Sequence, residues 1–343
     1  MTNIRMRSRS FHRWLIALSL GLAVLTLPLI TGSAFAQGID IPAIMDPDLE
    51  GPPTVVTLQY GHQFKVDVDN RGTEIARDNA FFSLAHRTKL SDKTSFFALG
   101  SYTLHAYNFS GTSGARNSGN AYQWDNVHRL VIGGLFGYDL NEKWRLIGGG
   151  IIRSWGESGA DYGDSITGGL IGGFDYHPNE DFSVGLIIGA FSAIEDSLAL
   201  FPVPTLKWNF TENWKLHVGL VTVFDPGVGA DVTWQISDTV SFGTGIVFQS
   251  RRYRLRDKTR VVKGGGAGST GNNRTDDGGV GEETEVPVFA MIKWKPTEKA
   301  SIDLLAGVAF AGNVRVEDDH GGRIADDDYD PAPFVGLRGQ IAF

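Results

Sequence analysis

A short polar turn between two runs of alternating hydrophobicity occurs six times in this 343-residue chain. The turns begin at Ser91, Asn141, Asn179, Thr211, Ser237 and Thr297. Their starting positions lie 50, 38, 32, 26 and 60 residues apart. This irregularity argues against a solenoid or a propeller, whose repeats have a fixed period. The pattern is typical of β-hairpins with short turns at one end and loops of variable length at the other.

Aromatic residues flank five of these six turns at constant positions, and the turn at Ser91 is the exception, with Thr88 in the corresponding place. They lie three residues before a turn or three residues after its start, at Tyr138, Trp144, Tyr176, Phe182, Trp208, Trp214, Trp234 and Trp294. Because residues two apart in a strand share a face, one face of each hairpin carries a ring beside the turn and aliphatic side chains farther along. An outward apolar band with an aromatic girdle is how a membrane β-barrel is built. A soluble sandwich with the same rings in its core is the alternative.

The alternation predicts an all-β fold, a single transmembrane antiparallel up-and-down β-barrel over residues 54–343. The predicted strands are 54–68, 78–90, 94–110, 123–140, 144–156, 166–178, 182–194, 197–210, 214–225, 229–236, 240–256, 285–296, 300–316 and 332–343. They number fourteen, with twelve as an alternative. An even number places both termini on one side of the membrane, and the short turns predict that this side is periplasmic.

The first 36 residues have the features of a secretory signal peptide. A basic segment, residues 1–13, precedes an apolar run over residues 14–30, and small residues then end in an A-x-A arrangement at Ala36. We expect cleavage after Ala36; an uncleaved membrane helix is the alternative. Residues 37–53, with four prolines, are predicted to form a periplasmic N-terminal segment.

Composition excludes several classes of function. The absence of cysteine rules out disulfides, Cys-ligated metals and a thiol nucleophile. The formal net charge of −8 becomes −12 once the signal peptide leaves, since it carries four arginines and no acid, so a nucleic-acid partner is not expected. Histidines lack a metal-ligand spacing and no nucleophile elbow occurs. We therefore predict no cofactor, no metal and no enzymatic activity; an Asp319–His320 protease pair is the weaker alternative.

The chain ends in an alternating strand whose last residue is Phe343. Val335, Leu337, Ile341 and Phe343 share one face of it. This ending resembles the C-terminal signal of bacterial outer-membrane β-barrels, and the stretch 194–208 resembles one outer-membrane family of unknown function. The resemblance implies location in the outer membrane of a Gram-negative-type bacterium. It also implies recognition of the terminal strand by the barrel-assembly machinery, and contact with membrane lipid and lipopolysaccharide.

The face opposite the girdle predicts the lining of the lumen. Its basic members are Arg87, Lys89, Arg129, Arg145, Arg153, Lys207, Lys215, Arg251, Lys293, Lys295 and Arg338. Its acidic members are fewer, namely Asp139, Asp175, Asp231 and Asp303. A basic wall favours anions in a water-filled pore. A filled barrel whose wall charges pair across the lumen is an equal alternative.

These features favour a passive pore for small solutes with a weak anion preference. A transporter of hydrophobic small molecules is one alternative, and a structural or adhesive barrel with a filled lumen is another. Pro202 and Pro204 each remove a ladder donor from a strand, which predicts a kink there. Residues 258–284 are predicted to be a mobile Gly-rich loop, and residues 317–330 a solvated acidic loop.

Overall fold

The computed structural model describes residues 54–69, 72–110, 122, 124–194, 196–261, 273–276, 279–318 and 321–343. Its strands are β1 Thr54–Val68, β2 Thr73–Lys89, β3 Thr94–Ser110, β4 Asn126–Asn141, β5 Trp144–Glu157, β6 Ile166–Asn179, β7 Phe182–Ala193, β8 Asp196–Thr211, β9 Trp214–Thr222, β10 Pro226–Gln235, β11 Val240–Arg254, β12 Lys258–Val261, β13 Asn273–Asp276, β14 Val280–Thr297, β15 Ala300–Glu317, β16 Arg323–Tyr329 and β17 Ala332–Ala342. A four-residue helix, α1, covers Tyr162–Ser165. Within the described residues no helix is long and apolar enough to cross a membrane.

The strands form a closed antiparallel barrel. β17 pairs with both β15 and β1, so the last strand joins the first. At this junction the Phe343 amide donates to the Thr54 carbonyl at 2.9 Å. β16 continues the line of β17 along β15, and the two together make one wall strand. With β12 and β13 paired only to each other, the wall has fourteen strands, which confirms the predicted fold.

Several strands extend beyond the predicted limits at one end of the barrel. β2 begins at Thr73 and β14 at Val280. Each strand therefore starts five residues before its predicted start, and these residues pair with a neighbouring strand although they lack the alternation on which the prediction was based. The acidic stretch is partly strand, since β16 pairs with the upper part of β15. The predicted mobile loop contains the β12–β13 ribbon and the start of β14. The predicted signal peptide, residues 37–53 and the Asp319–His320 pair lie outside the described residues.

Side chains alternate between an outer apolar face and an inner face along most strands. In β1, Leu58 and Tyr60 are exposed while Thr57 and Gln59 are buried. In β3, the apolar Phe97 and Leu99 lie on the inward face and are buried. In β15 a bulge at Ala311, with φ 50°, exchanges the two faces, so that Val314 and the other even-numbered residues above it are buried. An apolar outer face is what lipid requires of a barrel.

The two ends of the barrel differ, and they take their names from their connections. The short-turn end carries Thr54, at the start of β1, together with Phe343 and the six polar turns recognised in the sequence. The long-loop end carries the segments between β3 and β4, β5 and β6, β11 and β14, and β15 and β16. Not every connection at this end is long: β9 and β10 are joined by residues 223–225 alone. That short connection determines the shape of the lumen.

Candidate functional site

Strand β9 leaves the barrel wall halfway along its length. Its pairing with β8 runs from Trp214 only as far as Val218, whereas its pairing with β10 continues to Thr222. The next residue, Gly219, has φ +143°, a backbone conformation that side-chain-bearing residues rarely adopt. The upper halves of β9 and β10 therefore bend as one hairpin into the barrel. Leu220, Val228 and Ala230, which have the parity of the outer face, pack in one apolar cluster with the inward Phe201 and Val203.

The tip of this hairpin, residues 223–225, crosses the lumen and is called the plug turn. Its central residue, Phe224, is 1% exposed and packs edge-on against Phe334 of β17, with ring centroids 5.1 Å apart. Gly61 and Gly336 make room for the ring, since a Cβ at Gly61 would lie 1.9 Å from it. The plug turn therefore reaches the opposite wall, formed by β1 and β17.

Two polar side chains of that opposite wall bind the backbone of the hairpin tip. The Gln59 side-chain amide donates to the Val223 carbonyl. The Arg338 guanidinium donates to the Thr222 carbonyl at 3.3 Å and pairs with Asp303 at 2.7 Å. Because buried carbonyls need partners, these contacts stabilise the inserted position.

Asp225 fixes the plug turn from the other side. Its carboxylate lies 2.6 Å from the Arg251 guanidinium, 3.4 Å from Arg129 and 3.3 Å from the His105 ring. The Gln249 side chain also donates to its backbone carbonyl. All five residues are buried. A buried carboxylate is stable only with such partners, so Asp225 holds the plug turn to β3, β4 and β11.

A second set of charges fills the lumen beside the plug turn. Glu285 accepts from Arg77 and Arg251, both at 2.8 Å. Glu283 pairs with the same two arginines and accepts from Tyr107 at 2.6 Å. Each of these five residues is at most 6% exposed. The wall charges of this half therefore pair across the lumen.

An aromatic layer closes the lumen at the long-loop end. Tyr107, Tyr122, Trp124, Trp155 and Tyr253 are all buried. Trp124 lies at the centre, within 6 Å of three of these rings by centroid. Edge-to-face contacts at such centroid distances are among the favoured arrangements of aromatic pairs. Plug turn, ion pairs and aromatic layer together leave this half of the lumen filled.

The other half of the lumen, called the hollow half, contains a cavity, although inward apolar side chains such as Phe97 and Leu135 are buried on its β3–β4 side. A cavity of about 430 Å³ opens at the short-turn end between β6–β11 and β14. Four lysines line it, at Lys207, Lys215, Lys293 and Lys295. The hairpin that carries the plug turn forms part of its wall, through His217 of β9 and Asp231 of β10. The cavity therefore lies directly below the plug turn.

The predicted lumen-lining residues fall into three groups by their position. Those in the filled half are Arg129, Arg153 and Arg251, which are buried, with Arg338 at the boundary of the two halves, where it pairs with Asp303. Those around the hollow half are Lys207, Lys215, Lys293 and Lys295. The remaining three, Arg87, Lys89 and Arg145, lie on the inward parity near the short-turn end. Of these, Arg145 donates to Ser95 at 2.7 Å.

Sequence reasoning missed the acids that neutralise the filled half. Glu283 and Glu285 lie at or before the predicted start of their strand, and Asp225 at the end of another. One signal was present: acids recur over residues 282–285, and basic residues recur over residues 251–256 of the facing strand. The register pairs Arg251 with Glu283 and Arg252 with Glu282.

The predicted girdle residues lie at the short-turn ends of their strands. Tyr138, Trp144, Trp234 and Trp294 are exposed on the outer face, and Tyr176, Phe182, Trp208 and Trp214 are half-buried there. Neighbouring rings touch: Trp214 stacks on Trp234 with centroids 5.7 Å apart, and Trp144 lies 4.7 Å from Tyr176. Phe343 ends the chain at the same level and is 63% exposed.

The departure of β9 leaves one edge of β8 without a strand partner. Residues 196–205 pair with β7 but not with β9. Pro202 and Pro204 lie in this stretch, on the same parity. A proline has no amide hydrogen to leave unsatisfied, so the two are suited to an open edge. The predicted kink is thus replaced by an interruption of the wall between β8 and β9.

No group of three or more potential metal ligands occurs among the residues that the structure describes. The charged clusters of the lumen instead mix acids with arginines, which satisfy the carboxylates directly.

The fold is similar to that of several solved outer-membrane channels. An outer membrane channel from Pseudomonas putida F1 is 13% identical over 87% of this chain and 100% of its own, with TM-score 0.44. A Pseudomonas aeruginosa FadL homologue is 10% identical over 91% and 96%, with TM-score 0.50. The KdgM porin is 8% identical over 84% and 99%, with TM-score 0.31. No family model and no curated protein matches. The chain thus shares with the FadL homologue the fold of a closed antiparallel β-barrel.

Proposed function

We propose that this protein is an outer-membrane channel for small solutes whose lumen is closed by the plug turn. The observation that carries the proposal is the position of Asp225, on a wall hairpin folded into the lumen and bound by three basic side chains. A passive, permanently open pore does not fit this arrangement. The outer-membrane barrel fold supports a transport function, since the solved structures similar to this chain are channels and porins rather than enzymes.

The plug turn has the features of a gate rather than of a permanent filling. It is a three-residue tip at the end of a hairpin whose β9 strand pairs with β8 only as far as Val218, whereas β10 stays paired with β11 up to Val228. Its contacts with the opposite wall are two hydrogen bonds and the packing of one ring. An outward movement of β9 about Gly219, with β10 still paired to β11, would bring β9 against the free edge of β8, except at its prolines, and clear the lumen.

Single-channel conductance tests this proposal. Leu220 and Val228 are cross-strand partners, so residues 221–227 can be replaced by Asn-Gly, a two-residue hairpin turn. We expect the refolded wild type to show rare openings and the shortened variant to show a continuous conductance. Replacing Glu142-Lys143 by Asn-Gly at the short-turn end is the matched control, and it should behave as wild type. A shortened variant that folds and stays closed would favour the structural barrel with a filled lumen.

A side route for hydrophobic molecules is the second candidate function. The interrupted pairing between β8 and β9 favours it, because Leu198, Leu200 and Pro202 are exposed to the membrane beside the unpaired edge. An apolar solute leaving the lumen there would pass directly into lipid. Uptake of an apolar dye into vesicles tests this route. A disulfide that joins β8 to β9 across this gap should abolish uptake, and it should raise ionic conductance if the hairpin is the gate.

The cellular setting belongs to the same proposal. We infer that residues 1–36 direct export and are removed after Ala36, and that the short-turn end with both termini faces the periplasm. The terminal strand ending at Phe343 is proposed to be recognised by the barrel-assembly machinery, and the long-loop end to contact lipopolysaccharide. Protease protection of an epitope placed after Phe343, in intact cells, tests the orientation: cleavage from outside would contradict it.

A further inference from the structure

The hollow half of the lumen differs from the filled half in having basic side chains without acidic partners. Lys215, Lys293 and Lys295 make no ion pair with an acidic side chain in the part of the chain that the structure describes. Lys293 lies opposite Asp303 in the register, but the Asp303 carboxylate is held by Arg338 at 2.7 Å. Lysine ammonium groups that converge on a cavity attract anions.

The acids of the cavity do not offset these lysines. Glu180 and Asp181 belong to the exposed turn at the rim. Asp231 is the acid within the cavity, and His217 binds it at 2.9 Å. Polar neutral groups, among them Ser183, Thr233 and Ser241, complete the lining and can donate hydrogen bonds to a ligand.

We infer that this cavity is a binding site for a small organic anion with two or more carboxylate groups. Its volume, about 430 Å³, suits a molecule of that size. Lysines on facing strands supply the charge: Lys207 on β8 and Lys215 on β9 from one side, and Lys293 and Lys295 on β14 from the other. A multivalent anion can contact both sides at once. The inference rests on the proposed channel function and names the solute class that its lumen selects.

The site also touches the base of the hairpin that carries the plug turn. Lys215 and His217 lie on β9 below the bend at Gly219, and Asp231 lies opposite His217 on β10. Met291, which lines the cavity, contacts the Arg338 guanidinium at 3.3 Å, and Arg338 in turn binds the Thr222 carbonyl. A ligand in the cavity would therefore contact the residues on which the position of the plug turn depends.

Isothermal titration of the refolded protein in detergent with citrate tests the site without any ionic current. We expect saturable binding of citrate, none of glucose, and affinity for citrate at least about tenfold weaker in Lys207→Gln/Lys293→Gln. Lys143→Gln, in an exposed turn outside the cavity, is the matched control and should bind as wild type. Heat-modifiable migration on gels verifies that each variant is folded. If the double variant does not fold, Lys215→Gln and Lys295→Gln are titrated separately.

Three results would overturn the inference. Citrate heats no larger than those of glucose would show that the cavity is not an anion site. Unchanged affinity in the folded lysine variants would place the anion elsewhere. Equal weakening by Lys143→Gln would reveal a general charge effect. A negative titration would not contradict the proposed gate, because the conductance of the shortened-hairpin variant is measured independently. A negative conductance result would likewise leave the titration valid.

Discussion

The two halves of the lumen are built by the same strands and have opposite character. In the long-loop half, Arg77, Arg129 and Arg251 pair with carboxylates of β14 or of the plug turn, and the interior is filled. In the short-turn half, Lys215, Lys293 and Lys295, of the same inward parity, form no ion pair with an acid among the described residues, and a cavity remains. Inward parity therefore determines where a side chain lies, but not whether it fills the lumen or lines a cavity. That outcome depends on whether another strand or the inserted plug turn places an opposite charge next to the side chain.

The largest expected effect comes from neutralising the acid of the plug turn. Asp225→Asn leaves three buried basic groups with a weaker partner, and breaking a buried pair costs about 3–5 kcal/mol. If only the inserted state bears this cost, the open fraction in bilayer recordings should rise by more than about a hundredfold. Asp238→Asn, in an exposed turn, is the control. A rise of equal size in the control, or none in Asp225→Asn, would mean that these ion pairs do not hold the hairpin.

A steric change at the opposite wall should act in the same direction but less strongly. In Gly61→Ala the new methyl group would overlap the Phe224 ring, and overpacking costs about 1–3 kcal/mol. We expect more frequent openings, and recovery of the closed state in Gly61→Ala/Phe224→Ala. Gly339→Ala is the matched control, because nothing lies within 4 Å of the position that its added methyl group would take. Openings in that control would show that β-strand glycines near the short-turn end matter for other reasons.

Much of this architecture could be predicted from the sequence, except for the part where β9 and the plug turn leave the barrel wall. Contact with lipid constrains every strand, and it is visible in the sequence as alternation and as girdle aromatics such as Trp214 and Trp234. The strand positions and the number of fourteen strands could therefore be predicted. The plug turn could not be predicted in this way, because Leu220 and Phe224 continue the apolar alternation of β9 although they pack inside the barrel. A buried apolar site and a lipid-facing one select the same residues. Gly219 and the proline pair in β8 were the local indications.

Removing a cavity lysine should change ion selectivity moderately. Lys293→Gln takes one positive charge from the hollow half, so the preference for chloride over potassium in the open, shortened-hairpin variant should fall about two- to fivefold. Reversal potentials under a salt gradient measure this change, with Lys143→Gln in the same background as the control. A cation preference before any lysine is changed would contradict the basic character of this half.

The smallest effect is expected on the outer surface. Trp294→Ala removes a girdle ring that is 50% exposed on the lipid face, and should slow insertion into vesicles about two- to threefold without changing conductance or selectivity. Band-shift kinetics during refolding provide the measurement. A changed selectivity with normal insertion would place this ring in the lumen instead.

Thiol accessibility tests most directly whether the plug turn occupies the lumen. The chain has no cysteine, so Val223→Cys creates a single thiol at a position that is 0% exposed. Tyr162→Cys, at a 72% exposed position of the long-loop end, is the reference. In the folded barrel, we expect a water-soluble maleimide to label the Val223→Cys variant at least about a hundredfold more slowly than the Tyr162→Cys variant. Adding Asp225→Asn to the Val223→Cys variant should remove most of this protection. Equal labelling rates at the two positions would contradict a plug turn seated in the lumen.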